Sequence, residues 1–222
     1  MRFALVAAAL VLPAVAAAQV TVYANDFESG PLGAEWSGGG SIQSSEGLGA
    51  FGFGQNHLRN EGTSASLLTL GALAPHTSMT LAFDLAMWDS IDFGDTFRLF
   101  MDGVTLFDGP FGNYFAPSGD CDGPGTRISD PFVDFASPGY GMNAGFRDCA
   151  RTASFTFAHS GTGAAISFQY PNTQGGLDES FGVDNVLVQT DAAVTAAPEP
   201  GTWALLATGL VGVGGVARRR RR

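Results

Sequence analysis

Residues 80–110 read TLAFDLAMWDSIDFGDTFRLFMDGVTLFDGP, and their alternation decides the fold. Every second residue is apolar in two runs, first Leu81, Phe83, Leu85 and Met87 and then Phe97, Leu99 and Met101. A period of two is typical of strands with one buried face. Asp102-Gly103 joins the second run to a third at 104–107, and this dipeptide between alternating runs predicts a β-hairpin.

Similar short runs recur along the chain, at 20–27, more weakly at 67–70, and at 154–158, 165–170 and 181–189. Gly, Asp, Asn and Pro separate them, and no segment between 19 and 190 keeps a helical period over ten residues. The sequence therefore predicts an all-β domain at 19–190, an antiparallel β-sandwich of jelly-roll or lectin-like type. We expect turns in the Gly- and Ser-rich residues 37–45 and one long loop at 111–145.

The N-terminus has the pattern of a cleaved signal peptide. Arg2 supplies a positive charge, residues 3–15 are apolar, and Ala16 and Ala18 give the small-x-small motif of signal peptidase. We expect cleavage before Gln19, so residues 1–18 form the signal peptide. The alternative, an N-terminal membrane helix, would need a longer apolar segment.

The C-terminus combines three features in order. Pro198, Glu199 and Pro200 come first, an apolar segment at 201–217 follows, and the chain ends in Arg218, Arg219, Arg220, Arg221 and Arg222. The apolar segment is just long enough for a transmembrane helix, and the arginines stay in the cytoplasm by the positive-inside rule. An ordinary C-terminal anchor would not need the Pro-Glu-Pro.

This tail, residues 198–222, resembles the PEP-CTERM sorting signal. The resemblance implies that an exosortase in the inner membrane of a Gram-negative bacterium cuts near Pro-Glu-Pro and releases the protein towards the cell surface or extracellular matrix. Residues 191–197 are then the linker between the domain and the tail. Many unrelated domains carry such a tail, so it predicts location and not activity.

The charge of the chain limits its partners. It has 11 basic and 21 acidic residues, a net charge of −10, and six of the basic residues lie in the two terminal segments. The processed domain is therefore more acidic than the whole chain. Such a surface repels nucleic acid, anionic lipid and acidic polysaccharide unless cations intervene, and it leaves carboxylates available for Ca²⁺.

Cys121 and Cys149 both lie in the exported domain, where an oxidising compartment favours a disulfide. A metal site is the alternative, but His57, His76 and His159 have no ligand spacing to either cysteine. We expect the disulfide.

Asp89, Asp92 and Asp95 follow the first strand of the opening stretch on a Gly-containing loop. Carboxylate oxygens are Ca²⁺ ligands, although the spacing is not that of an EF-hand. The alternative is a solvated acidic turn. If the terminal strands pair, as is common in sandwiches, the acids of 25–28 and 178–185 also meet.

Three short segments resemble the sequences of secreted lectin-like and carbohydrate-binding jelly rolls. They are Asp26-Phe27-Glu28, Trp88-Asp89-Ser90 and 179–186 (ESFGVDNV). The resemblance implies a sandwich supported by Ca²⁺, and the matching positions are Asp89, Asp92, Glu179 and Asp184. This chain has Ile91 and Phe181 where such proteins often have Trp, a departure that weakens a sugar-stacking role there.

Aromatic residues in the 111–145 loop, including Tyr114, Phe115 and Tyr140, could stack on sugar rings. The alternative, which is commoner, is that loop aromatics anchor the loop to the core. We find no catalytic motif such as G-x-S-x-G or H-E-x-x-H. The sequence thus predicts a non-catalytic surface or matrix protein that associates with extracellular polysaccharide. A glycan-active hydrolase and a purely structural envelope component remain as alternatives.

Overall fold

The computed structural model describes residues 18–45, 48–89, 91–92, 94–112, 121–128, 148–171 and 179–191. Their elements, in chain order, are β1 (Gln19–Asn25), β2 (Trp36–Gly38), β3 (Ser41–Ser44), a 3₁₀ turn (Leu48–Phe51), β4 (Asn56–Glu61), β5 (Ala65–Leu70), β6 (Ser78–Asp89), β7 (Thr96–Met101), β8 (Val104–Pro110), β9 (Thr126–Arg127), β10 (Cys149–Ala158), β11 (Ala164–Gln169) and β12 (Glu179–Asp191). No helix within these residues is long and apolar enough to cross a membrane. Of the predicted signal peptide only Ala18 is described, and the segment 201–217 and the rest of the tail lie outside the described residues.

The strands form two antiparallel sheets. The large sheet has the order β3-β4-β12-β6-β10-β9, and β1 pairs with the second half of β12. The small sheet has the order β2-β5-β11-β7-β8. The predicted antiparallel β-sandwich is therefore confirmed.

The core lies between the two sheets and follows the alternation of the opening stretch. Leu81, Phe83, Leu85 and Met87 of β6 are buried with Phe97, Leu99 and Met101 of β7. Phe168 of β11 packs edge-on against Phe83 with ring centroids 5.2 Å apart. Burial of such side chains stabilises each by about 1.5–3 kcal/mol, which explains why a period of two in apolar residues fixes the sandwich.

The predicted hairpin joins β7 and β8. Asp102 and Gly103 form its turn with φ angles of 50° and 79°, both in the left-handed region. Two positive φ angles in sequence are the requirement of a type I′ turn, which Asp-Gly meets at low cost.

The expectation of turns at 37–45 is wrong. Trp36–Gly38 and Ser41–Ser44 are edge strands β2 and β3, one in each sheet. Strand β4 was not predicted either, because its sequence NHLRNE has no polar–apolar alternation. Its alternation is hidden because both faces are buried: Leu58 faces the core, and His57 and Arg59 face a second cluster on the outside of the large sheet.

The predicted disulfide is confirmed. Cys121 and Cys149 are bonded, and both are buried beside Met87 of β6. The bond ties the segment at 121–128 to the start of β10. Residues 113–120 and 129–147 of the predicted long loop lie outside the described residues.

Candidate functional site

The acids singled out in the sequence lie in two clusters on opposite faces of the large sheet. Glu179 and Asp184 are five residues apart on β12, and an odd separation puts two side chains on opposite faces of a strand. Their Cα partners on β6 are Asp89 and Asp84, respectively. Each of the two thus stands directly opposite another acid.

The first cluster lies between the sheets at one end of the sandwich, and we call it the Glu179 cluster (Asp92, Asp95, Tyr170 and Glu179). The Tyr170 hydroxyl lies 2.8 Å from Asp95 Oδ2 and 3.2 Å from Glu179 Oε2. The backbone N–H of Asp92 donates to Asp95 Oδ2 at 3.1 Å and is also hydrogen-bonded to Glu179. The backbone of Asp89 is the Cα partner of Glu179 on the neighbouring strand.

The surroundings of Glu179 favour its protonated form. Burial, followed by repulsion from Asp95, raises the pKa of the fully buried Glu179 to about 7. The Tyr170 hydroxyl lies within hydrogen-bond distance of both carboxyl groups, and its bond to Glu179 opposes part of this rise in pKa.

The second cluster lies on the outer face of the large sheet, and we call it the Asp184 cluster (Glu28, Asp84, Asp184 and Asn185). A bulge in β12 puts Asn185 at φ 49° and swings its amide towards the neighbouring strand. The amide nitrogen donates to Asp84 Oδ2 at 2.8 Å and to the Gly52 carbonyl at 2.9 Å.

The segment 52–56 covers this cluster and is fixed by its acids. Glu28 Oε1 accepts from the backbone N–H groups of Gln55 at 2.5 Å and Asn56 at 2.9 Å. Asp184 accepts from Asn185 N at 2.7 Å through Oδ1 and from the Gly54 backbone. Both acids thus bind the same short segment, and the pairing of β1 with β12 brings the first and last strands together.

Asp184 carries the cluster's unbalanced charge. It is fully buried, and its Oδ2 atom has no hydrogen-bond donor among the described residues. Burial, together with repulsion from Asp84 and Glu28, raises the pKa of Asp184 to about 7. A buried carboxylate is stable only with a hydrogen-bond donor, a proton or a cation beside each oxygen. Asp184 Oδ2 has no hydrogen-bond donor in the described part of the chain, so a proton or a cation remains.

The five predicted calcium ligands therefore do not form one site. Asp92, Asp95 and Glu179 come together, Asp89 pairs with Glu179 by register, and Asp184 belongs to the other cluster. Within the described part of the chain, no three His, Cys, Asp or Glu side chains are positioned to hold a metal ion as they stand.

Sequence reasoning missed the polar residues on the outer face of the large sheet. Arg59 is buried, donates from Nε to Ser180 Oγ at 2.9 Å, and lies 6.0 Å from the Trp88 ring. Burial and the neighbouring Arg59 lower the pKa of His57 to about 3, so His57 is neutral. Gly182 makes room for this ring, because a Cβ there would lie 2.2 Å from His57 Cδ2.

The aromatic residues proposed for glycan contact, Tyr114, Phe115 and Tyr140, lie outside the described residues. Phe111, at the start of the same loop, is an anchor: it is buried against Phe97, Tyr170 and Phe181. Among the described large apolar side chains, Val20 and Val104 are the exposed ones, at 45% and 66%.

Comparison with known families decides the role of the tail. Residues 196–222 match the family model of the PEP-CTERM protein-sorting motif. The chain carries a PEP-CTERM sorting motif. The match begins two residues before Pro198, and such a motif implies export and exosortase-mediated processing. No curated protein sequence matches the chain.

Several solved structures are similar to the sandwich. The CBM22-1 xylan-binding domain of Paenibacillus barcinonensis Xyn10C is 9% identical, with a TM-score of 0.44 over 81% of this chain and 100% of that domain. A family 35 carbohydrate-binding module of Clostridium thermocellum is 11% identical, with a TM-score of 0.39 over 79% and 100%. The Agl-KA catalytic domain is 17% identical, with a TM-score of 0.36, and this chain spans only 27% of it. Similarity at this level assigns no ligand or activity.

Proposed function

We propose that this protein is a non-catalytic component of the surface or extracellular matrix of a Gram-negative bacterium, a β-sandwich stabilised by Ca²⁺ that associates with extracellular polysaccharide. The sorting motif at 196–222 supports the destination, because a PEP-CTERM tail implies release from the inner membrane by an exosortase. The processed domain is strongly acidic, which suits a soluble protein outside the cell.

The calcium proposal rests on one observation, the buried Asp184 Oδ2 atom without a donor. Asp84 lies opposite Asp184 in register, and Glu28 adds to the negative potential there. Calcium binds carboxylate and carbonyl oxygens in flexible geometry. The Gly52 carbonyl is close to these acids, because the Asn185 amide nitrogen donates to it and to Asp84 Oδ2. Small movements of the Glu28 and Asp84 side chains would complete the site.

The Glu179 cluster is the second cation site of this proposal. Asp92, Asp95 and Glu179 repel each other electrostatically, and in the metal-free form a proton relieves the repulsion. A Ca²⁺ ion would displace that proton and neutralise more charge. Occupancy of this site is therefore expected to need a higher pH than occupancy of a fully ionised site.

The polysaccharide proposal follows from location and charge. A protein released at the cell surface meets extracellular polysaccharide, and Ca²⁺ ions at the exposed carboxylates of the domain, separate from the two buried sites, would bridge it to acidic groups of a glycan. Tyr114, Phe115 and Tyr140 in the long loop are the proposed glycan contacts, since aromatic faces stack on sugar rings.

The test has two parts. The melting temperature of the full-length protein is measured in Ca²⁺ and in EDTA, and an equal value in both would overturn the calcium proposal. Affinity electrophoresis through neutral and acidic polysaccharides, each with and without Ca²⁺, measures glycan association. Retention in none of these gels would leave a purely structural envelope component as the better description.

A glycan-active hydrolase is the second candidate, favoured by one observation. Asp95 and Glu179 share the Tyr170 hydroxyl, and the pKa of Glu179 near 7 suits a general acid. Polysaccharide turnover that is lost in both Asp95→Asn and Glu179→Gln, while the melting temperature is kept, would establish this activity in place of the non-catalytic role.

A further inference from the structure

Two histidines far apart in sequence meet at the end of the sandwich where β12 ends. His76 precedes β6 of the large sheet and His159 follows β10, and His76 Nε2 lies 2.7 Å from His159 Nδ1. The remaining ring nitrogens are also bonded: His76 Nδ1 lies 2.7 Å from the Ala74 carbonyl, and His159 Nε2 lies 3.1 Å from Asp102 Oδ2.

The two rings meet edge to edge. Their planes differ by 15° and their centroids lie 4.9 Å apart. With one nitrogen of each ring only 2.7 Å from the other, this separation fits two nearly coplanar rings joined by an in-plane N–H···N bond, and not two rings in face-to-face contact. The lone pair of one ring therefore points at a proton on the other.

The protons of this chain of bonds can be counted. A backbone carbonyl and a carboxylate only accept, so His76 Nδ1 and His159 Nε2 must both carry a proton. The central N···N contact holds one more proton. Two rings with three protons carry one positive charge in total, whereas two neutral imidazoles carry two protons and no charge.

We propose that His76 and His159 form one proton-sharing unit with a single positive charge, which pairs with Asp102 and clasps the two sheets together. A fourth proton would place two N–H groups face to face, and loss of the third would leave one of the three contacts without a proton. The clasp is thus complete in only one protonation state of the pair.

The connection between the sheets runs through the hairpin turn. Asp102 lies in the β7–β8 turn of the small sheet, and its Oδ1 atom accepts from Ala165 N of β11 at 2.8 Å. His159 is tied to the start of β6 by its backbone bond to the Thr77 carbonyl at 3.1 Å. Loss of the Asp102–His159 bond would remove this side-chain link between the turn and the end of β10.

Among the described residues, one acid bonds the pair directly and a second bonds the residues that follow His76. Asp102 bonds His159 directly, and Asp191 at the end of β12 accepts from the backbone of Thr77 and Ser78 next to His76. Both are acids, so both favour a positive charge on the pair. Asp191 is the last residue of β12, so the pair lies at the end of the sandwich where β12 ends.

The proton count is measured directly by nitrogen-15 NMR of the imidazole rings in the full-length protein at near-neutral pH. Single variants His76→Gln and His159→Gln assign the signals. We expect three protonated nitrogens in the pair, one of them in a shared N–H···N bond. Two protonated nitrogens in the pair would overturn the proposal, and so would signals that shift on addition of EDTA, since those would indicate a metal bridge.

Asp102→Asn is the matched variant. Its amide keeps the oxygen that accepts from Ala165 N and replaces Oδ2 by a donor, which can bond a bare His159 Nε2. We expect two protonated nitrogens in this variant, one fewer than in the wild type. Equal counts in the two proteins would refute the clasp.

Discussion

Asp84 of β6 and Asp184 of β12 are direct cross-strand partners, so two carboxylates face each other at the centre of the large sheet. Like charges directly opposite in a sheet are destabilising, and burial of Asp184 strengthens the effect. Asn185 compensates in part, since its amide donates to Asp84 and its backbone N–H donates to Asp184. The remaining repulsion is what a cation would remove.

Calcium is therefore expected to stabilise the wild type, and Asp184→Asn is expected to abolish most of this response. The variant removes the buried charge and keeps the shape of the side chain. Its metal-free form should unfold at a higher temperature than metal-free wild type, because the repulsion from Asp84 and Glu28 is gone. Thermal unfolding in Ca²⁺ and in EDTA measures both effects.

Asp108→Asn is the control for this experiment. Asp108 lies on β8 of the small sheet in an exposed pair with Arg98 at 3.3 Å, and such pairs contribute about 0–1 kcal/mol. It should change neither the metal-free stability nor the calcium response appreciably. A calcium response of wild-type size in Asp184→Asn would place the ion elsewhere.

The metal-free protein is expected to lose stability as the pH rises from about 4 to 7. Glu179 and Asp184 have pKa values raised to about 7, so in this window the folded state keeps protons that the unfolded state has released. The free energy of unfolding then falls with pH. Asp191 acts in the opposite direction only below about pH 4, because hydrogen bonds from Thr77 and Ser78 lower its pKa.

Urea unfolding across this range in EDTA measures the slope, and Glu179→Gln tests its origin. Glutamine is uncharged, like the protonated carboxyl group, and its amide oxygen can accept from the Tyr170 hydroxyl as Glu179 Oε2 does. The slope should be smaller in Glu179→Gln and smaller again when Asp184→Asn is added. An unchanged slope in the double variant would show that other groups carry the pH dependence.

The sequence was sufficient for the strands in which one face is buried and the other is polar. The run 80–110 gave β6, β7 and β8 with their core residues, because alternation reports burial on one side. It was insufficient for β4, where His57 and Arg59 are covered by the segment around Leu48 and Phe53. A strand buried on both faces has no alternation to read.

The candidate site was predictable in its residue types but not in its grouping. Glu179 and Asp184 were placed in one set, although an odd separation on one strand already implies opposite faces. Their partners Asp84, Asp95 and Tyr170 depend on which strands are neighbours. That order follows from sheet topology, which the spacing of acids along the chain does not contain.

Removal of the disulfide is expected to lower the free energy of unfolding by about 3–4 kcal/mol, because the bond closes a loop with a sequence separation of 28 residues. The double variant Cys121→Ser, Cys149→Ser is compared with wild type by urea unfolding, and a reducing agent is added to each. Reduction should destabilise the wild type by a similar amount and leave the variant unchanged. Equal stability of the two oxidised samples would contradict the prediction.

If the long loop contacts glycans, alanine at Tyr114, Phe115 and Tyr140 should weaken retention in affinity electrophoresis by several-fold while the melting temperature stays constant, since loss of stacking removes binding and not core packing. Val104→Ala, an exposed apolar change on the small sheet, is the control and should keep full retention. Full retention in the triple aromatic variant would exclude this loop as the glycan contact.

The sorting tail predicts that the protein is retained in the inner membrane when its Pro-Glu-Pro is replaced. Prolines hold the chain extended, so Pro198, Glu199 and Pro200 should be accessible to the processing enzyme, and replacing all three by alanine favours helix instead. We expect that variant to remain in the inner membrane with its tail, whereas wild type is released without it. Thr195→Ala, in the linker before the matched residues 196–222, is the control and should be processed normally. Membrane fractionation and the intact mass of the chain measure both outcomes, and release of the alanine variant at wild-type mass would show that Pro-Glu-Pro does not direct the cut.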